Sequence, residues 1–193
     1  MSPSGVKEAP LEQTDGGLVA GGEGWFILNA RDAPWFEGDY GAYTRFGEGD
    51  VRFGQVGINI GVLQPGQPAC MYHREGDQED FLVLSGDCLL LVEGEERQLK
   101  AWDFFHCPPW TEHVFVGAGN GPCAILAVGA RSVREVVYPE SELARRHGAG
   151  VAKETSTPQE AYANNNPDQA IPYRDGFLSR WFVRDLSTKP IRV

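Results

Sequence analysis

Phe81-Leu82-Val83-Leu84-Ser85-Gly86-Asp87-Cys88-Leu89-Leu90-Leu91-Val92 reads as two short apolar strands around a turn triplet, with glycine where a positive φ is needed. Working outward, Glu93-Gly94-Glu95-Glu96 makes a second turn. Phe104-Phe105-His106-Cys107 forms another strand, which Pro108-Pro109 ends because proline has no N–H to give to a ladder. Thr111-Glu112-His113-Val114-Phe115-Val116 restarts it. On the N-terminal side, Pro65-Gly66 turns the chain into Met71-Tyr72-His73, and Glu79 follows. Alternation at period two puts Met71 and His73 on one face, and His113 and Phe115 likewise on one face. Cys70 and Tyr72 fall on the opposite parity, unless a bulge shifts the register and brings one of them to the place of Met71.

Further out, Trp25-Phe26-Ile27-Leu28 is expected as a first strand and residues 32–38 as a turn or loop. Tyr40 to Phe46 and residues 53–63 supply two more strands, whose glycines leave gaps for close packing or a bulge. Gly117-Ala118-Gly119-Asn120-Gly121-Pro122 is a dense turn signal, and Cys123 to Val128 the last strand of the series. No helix-length amphipathic segment interrupts Gly57 to Val128, which points to a barrel or sandwich. Residues 1–24 are rich in Gly, Ser, Pro, Glu and Asp and read as a flexible, disordered N-terminal arm. After Arg131 the composition changes. Residues 140–148 start acidic and end basic on a glycine, and Thr157-Pro158-Gln159-Glu160 offers an N-cap, a first-turn proline and a capping-box glutamate. Beyond them Tyr173, Phe177, Leu178, Trp181 and Phe182 are too aromatic for a solvated tail, and are expected to pack on the barrel or on a second subunit. The chain thus divides into an arm (1–24), a β-barrel (25–130) and an extension with short helices (131–193).

The 193 residues suffice for one domain with a real core, and 41% hydrophobic with 23% charged residues is ordinary for a globular protein. A net charge of −10 without a basic cluster excludes nucleic acid and anionic membrane as partners. No apolar run approaches the ~18 residues that span a bilayer, and the first residues lack a signal-peptide profile, so a cytoplasmic protein is expected. The four cysteines form no C-x-x-C pair and are read as free thiols.

The stretch from Gly66 to His113 resembles the cupin superfamily of small β-barrels. The first family motif, G-x5-H-x-H-x3,4-E-x6-G, is met by Gly66, Met71-Tyr72-His73, Glu79 and Gly86. The second, G-x5-P-x-G-x2-H-x3-N, is met by Trp102-Asp103, Pro108-Pro109-Trp110 and His113. Met71 stands at the first histidine, Trp102 and Trp110 at glycines, and Gly117 at the final asparagine. The resemblance implies an all-β fold, a single antiparallel jelly-roll barrel. It also implies one divalent metal ion (iron, manganese, nickel or zinc) at His73, Glu79 and His113.

Two imidazoles and a carboxylate suit such a cation, and three protein ligands leave coordination positions open. Met71 is read as apolar filler of the pocket, since a thioether is a poor ligand for these metals. Phe81, Phe115 and His106 are the other expected pocket-lining residues. His147 reads as a solvated helix end, and the acidic run Glu75, Asp77, Asp80 as a solvated loop around Glu79. Trp102 and Trp110 are expected to abandon the positive φ of the glycines they replace and to wall the barrel mouth. The reading is a metal-dependent, oxygenase-type enzyme acting on a small polar metabolite, working as a homodimer. A sugar or polyol isomerase or epimerase, or a non-catalytic small-ligand binder, is the alternative.

Overall fold

The computed structural model describes residues 5–48, 51–133 and 135–177. The chain opens with a hairpin, β1 (Leu11–Thr14) and β2 (Gly17–Ala20). A second hairpin, β3 (Trp35–Gly38) and β4 (Gly41–Arg45), leads through the ribbon β5 (Gly47–Glu48) and β6 (Val51–Arg52) to the long β7 (Val56–Leu63). Then come β8 (Arg74–Glu75), β9 (Glu79–Ser85), β10 (Asp87–Val92), β11 (Glu95–Lys100), β12 (Phe104–Cys107), β13 (His113–Ala118) and β14 (Cys123–Ala130). The extension adds β15 (Val136–Val137), α1 (Glu142–Arg146), α2 (Pro158–Ala161) and β16 (Gln169–Ile171).

A seven-stranded antiparallel sheet, ordered β12-β9-β14-β7-β4-β3-β16, faces a three-stranded one, β11-β10-β13. Between them lies the barrel core, with Leu63, Val83 and Ile125 from the large sheet against Leu90 and Phe115 from the small one. Strand β10 is apolar at consecutive positions because both its faces are covered. Leu90 looks into the barrel, while Leu89 and Leu91 pack outward with Val114 and Val116 beneath Ala144 and Ala149 of the α1 region. The outer face of the large sheet is covered in turn, Trp35 packing with Phe177 and Tyr173 from the extension.

Gly86 is the crossing from one sheet to the other. Its φ is +74°, and a Cβ there would lie 2.5 Å from the Pro122 carbonyl oxygen, so no other residue fits. Glu93 (φ 49°) and Gly94 (φ 76°) close the β10–β11 hairpin in the mirror-image turn that matches strand twist.

Several local expectations change. Residues 11–20 of the arm pair as a hairpin rather than staying unstructured, although all four residues of β1 remain exposed, as the polar composition requires. Trp25 to Leu28 contributes only an isolated bridge to Glu8, and the ladder begins instead at Trp35, inside the stretch expected as a loop. Trp102 (φ 77°) and Trp110 (φ 71°) keep the left-handed backbone despite their side chains. Backbone bonds hold them there: Trp102 N–H donates to Val83 at 2.7 Å and Trp110 N–H to Glu75 at 2.7 Å. In α1 the Ser141 hydroxyl caps Ala144 N–H at 3.1 Å, but in α2 Thr157 makes no side-chain cap. Thr155 instead accepts the N–H of Thr157 itself at 3.1 Å and donates to the Glu160 carboxylate. Tyr173 and Phe177 pack on the chain's own barrel, while Leu178, Trp181 and Phe182 lie outside the described residues.

Candidate metal centre

His73 and His113 face each other across a reciprocal backbone pair, His73 N–H to His113 O at 3.2 Å and His113 N–H to His73 O at 2.8 Å. That pairing sets their rings side by side, 4.8 Å between centroids. Glu79 opens β9 between Cys107 of β12 and Gly129 of β14. The three groups converge inside the barrel, with all ligand atoms within 4.8 Å of one another. His73 is 8% exposed and His113 2%.

Each imidazole presents the same nitrogen to the interior. His73 Nδ1 donates to the Met71 carbonyl at 2.8 Å, and His113 Nδ1 to the Thr111 carbonyl at 3.1 Å. A proton held on Nδ1 leaves the Nε2 lone pair free to bind a cation. The two Nε2 atoms stand 3.9 Å and 3.3 Å from Glu79 Oε2. That oxygen is buried without a hydrogen-bond partner, an arrangement costly to leave uncompensated. A divalent cation between the three atoms would satisfy it, so the donor set fits the metal that the fold implies.

Without a cation, the electrostatics set the three groups apart. Burial, with Glu75 adding to it, pushes the Glu79 carboxyl up to about 7. Burial beside His73 brings His113 down to about 3, so this ring is neutral, as a ligand must be. At His73 burial opposes a charge, but Cys70, Glu75 and Glu79 outweigh it and move the ring in the opposite direction. His113 thus keeps only its Nδ1 proton, and a second, charging proton in the centre falls to His73.

The centre opens on a cavity of about 480 Å³, within the usual size range for small-molecule sites. Phe81 and Phe115 line it, and Phe81 meets His113 at 5.3 Å, inclined 61°. His106 does not. It lies on the outer face of β12, 53% exposed in its side chain, with Nδ1 2.6 Å from Asp80 Oδ1. Met71 is also absent from the wall, packing against Tyr138, Val151 and Ala161. Residues 70–72 form no strand, so the period-two assignment fails there. Cys70 takes the inner position, with Sγ 3.6 Å from His73 Nδ1, and Tyr72 is buried in the outer layer.

Sequence reasoning missed several wall residues. Glu75, read as solvated, brings Oε1 to 3.5 Å from His73 Nε2. Tyr138 reaches the cavity because β15 pairs with β8, bringing its ring to 6.0 Å from His73. Tyr162 follows on the end of α2, its hydroxyl accepting Met71 N–H at 3.1 Å. No spacing rule connects these residues to the motifs; their only signal is an aromatic residue within a polar segment. Gly117, at the position of the family's asparagine, leaves no room for a side chain: a Cβ would lie 2.1 Å from the Gln64 carbonyl oxygen.

Two facing antiparallel sheets around a buried His–Glu–His cluster define a β-barrel with a candidate metal centre. Residues 59–129 match the family model described as Cupin domain. The polyketide cyclase RemF from Streptomyces resistomycificus superposes with a TM-score of 0.51 at 13% identity, covering 58% of this chain and 83% of that one. A structure from Acidithiobacillus ferrooxidans described as a candidate sugar phosphate isomerase is 25% identical over 50% of this chain, with a TM-score of 0.43, and the match spans 63% of its own length. A sugar phosphate isomerase from Silicibacter pomeroyi is 22% identical with a TM-score of 0.43, over 62% of this chain and 82% of that one. No curated protein matches the chain. Among the described residues, no helix is long and apolar enough to cross a membrane.

Proposed function

We propose that the protein is a metal-dependent enzyme, oxygenase-type in its chemistry, that acts on a small polar metabolite bound in the barrel. The observation that carries this reading is the unpartnered Glu79 Oε2 facing two Nε2 atoms whose rings are fixed by backbone carbonyls. His73, Glu79 and His113 would hold one divalent ion and leave coordination positions toward the cavity. Such an ion supplies Lewis-acid or oxygen-activating chemistry. The chain's own residues do the rest. Phe81, Phe105 and Phe115 pack together against His113 and keep water from that side of the centre. Burial holds the Tyr138 and Tyr162 phenols protonated, so both serve as hydrogen-bond donors to a ligand oxygen. Isomerisation of a polyol or sugar acid is the second reading, favoured by Glu75, a carboxylate beside the ligand set in reach of a bound ligand. The resident ion is iron, manganese, nickel or zinc.

Elemental analysis of protein purified without chelator tests the centre. About one divalent ion per chain is expected in the wild type, and loss of it in His113→Ala and Glu79→Gln. Equal metal content in wild type and variants would rule the site out.

A further inference from the structure

Three arginines stand at the end of the large sheet that carries Glu79. In the sheet register Glu79 pairs with Gly129 of β14, Gly129 with Gly57 of β7, and Asn59 with Arg45 of β4. Arg131 follows directly on β14, and Arg52 belongs to the ribbon leading into β7. All three line the cavity of the metal centre. Arg52 and Arg131 also line an adjoining cavity of about 450 Å³, which shares Asn59, Glu75 and Glu79 with the first.

Two of the arginines are anchored by contacts of their own. Arg131 donates Nη1–H to the Phe53 carbonyl at 2.9 Å, and glycine at position 57 makes room for it, since a Cβ there would lie 3.0 Å from the guanidinium. Asp77 ties down the next two residues, accepting from Ser132 N–H at 3.1 Å and Val133 N–H at 3.0 Å. The Arg45 guanidinium lies 5.2 Å over the Phe36 ring. None of the ion pairs among the described residues involves Arg45 or Arg52. Three carboxylates of the same wall have partners of their own. Asp168 accepts the Tyr43 hydroxyl at 2.8 Å, Glu75 reaches His73, and Glu79 belongs to the metal centre. In a chain of net charge −10, these three cations offset the cavity's carboxylates, Glu75, Glu79 and Asp168, and a divalent ion at the centre would make the lining net positive.

We propose that Arg45, Arg52 and Arg131 form an anion subsite, and that the ligand is a small molecule with a carboxylate or phosphate at one end and chelating oxygens at the other. Guanidinium forks match both anions in geometry, and the phenols of Tyr138 and Tyr162 complete the wall for the uncharged part. As a description of the substrate, this rests on the metal-enzyme reading above.

The test uses the full-length chain and two probes, inorganic phosphate and succinate, titrated by calorimetry at constant ionic strength, with erythritol as the uncharged control. At least one anion is expected to bind the wild type and erythritol to bind more weakly. The Arg45→Gln/Arg52→Gln double variant should lose at least tenfold in affinity while keeping its metal content and its unfolding temperature. Arg52→Gln alone, an exposed position, guards against misfolding of the double variant and should lose a smaller factor. Preference for phosphate or for succinate distinguishes the two anion types. The inference is overturned if neither anion binds, or if both variants bind as the wild type does. Arginine-dependent binding in a protein that carries no metal would sink the enzyme reading and leave the subsite standing. A metal-loaded protein without such binding does the reverse.

Discussion

Glu79 and His113 pull the protein in opposite directions along the pH scale. The carboxyl rises from 4.5 to about 7 in the fold, so its contribution to stability is present below pH 4.5 and lost as pH rises through about 7. His113 falls from 6.5 to about 3, so its contribution is present above pH 6.5 and lost as pH falls toward about 3. No pH satisfies both. A bound cation does, because it takes the carboxylate and the neutral imidazole together. The gap in unfolding temperature between metal-loaded and chelator-treated protein should therefore widen from pH 5 to pH 8, read by calorimetry; a constant gap would contradict the ligand assignment. Met71 is the contrasting residue. Because it packs on Tyr138, Val151 and Ala161, Met71→Leu should leave metal content unchanged and cost under about 1.5 kcal/mol, measured by denaturant unfolding. Both histidines and the glutamate were legible from the motif spacing, whereas the wall around them was not. Parity counting works only inside a strand, and residues 70–72 are not one.

Strand β7 shows what the glycines of residues 53–63 do. Gly57 makes room for Arg131, while a Cβ on Gly61 would meet nothing within 4 Å. Gly61 lies on the same face as Asn59 and Leu63, and all three line the cavity. Gly61→Leu should therefore fold with an unfolding temperature near that of the wild type while excluding any ligand from the cavity; phosphate and succinate titrations would read this. The sequence indicated gaps at these glycines without saying which stays empty, because each gap is filled or not by a residue distant in the chain. The same holds for the arginines. Positions 45, 52 and 131 share no motif and meet only through sheet register. Strands β9, β10, β12, β13 and β14 were readable because each is bounded by a turn residue or a proline, whereas β11, polar and read in part as a turn, was not. The tryptophan turns show the limit of propensity: their backbone bonds impose a conformation that costs about 1–2 kcal/mol per side chain.

At the scale of the whole molecule, the extension belongs to the barrel. It supplies Tyr138, Tyr162 and Asp168 to the cavity, Ala144 and Ala149 to the outer face of the small sheet, and Phe177 to Trp35. Phe177→Ala should cost about 3 kcal/mol and raise the exposure of Trp35, seen as a red shift in its fluorescence; an unchanged denaturation midpoint would show that this contact contributes nothing. The composition of the tail signalled that it would pack, though not upon what.

The last strand of the large sheet, β16, pairs with β3, Ile171 opposite Trp35. A ribosome delivers these two partners far apart in time. At roughly 5–20 residues per second, the nascent chain waits on the order of seconds between completing β14 and releasing the segment that covers β3. Through that interval β3 is a bare edge with an uncovered tryptophan, the template on which a neighbouring nascent chain can add a strand. The order of synthesis makes the barrel's weakest moment come after its core is built, and places it at the edge farthest along the sheet from β9, which carries Glu79.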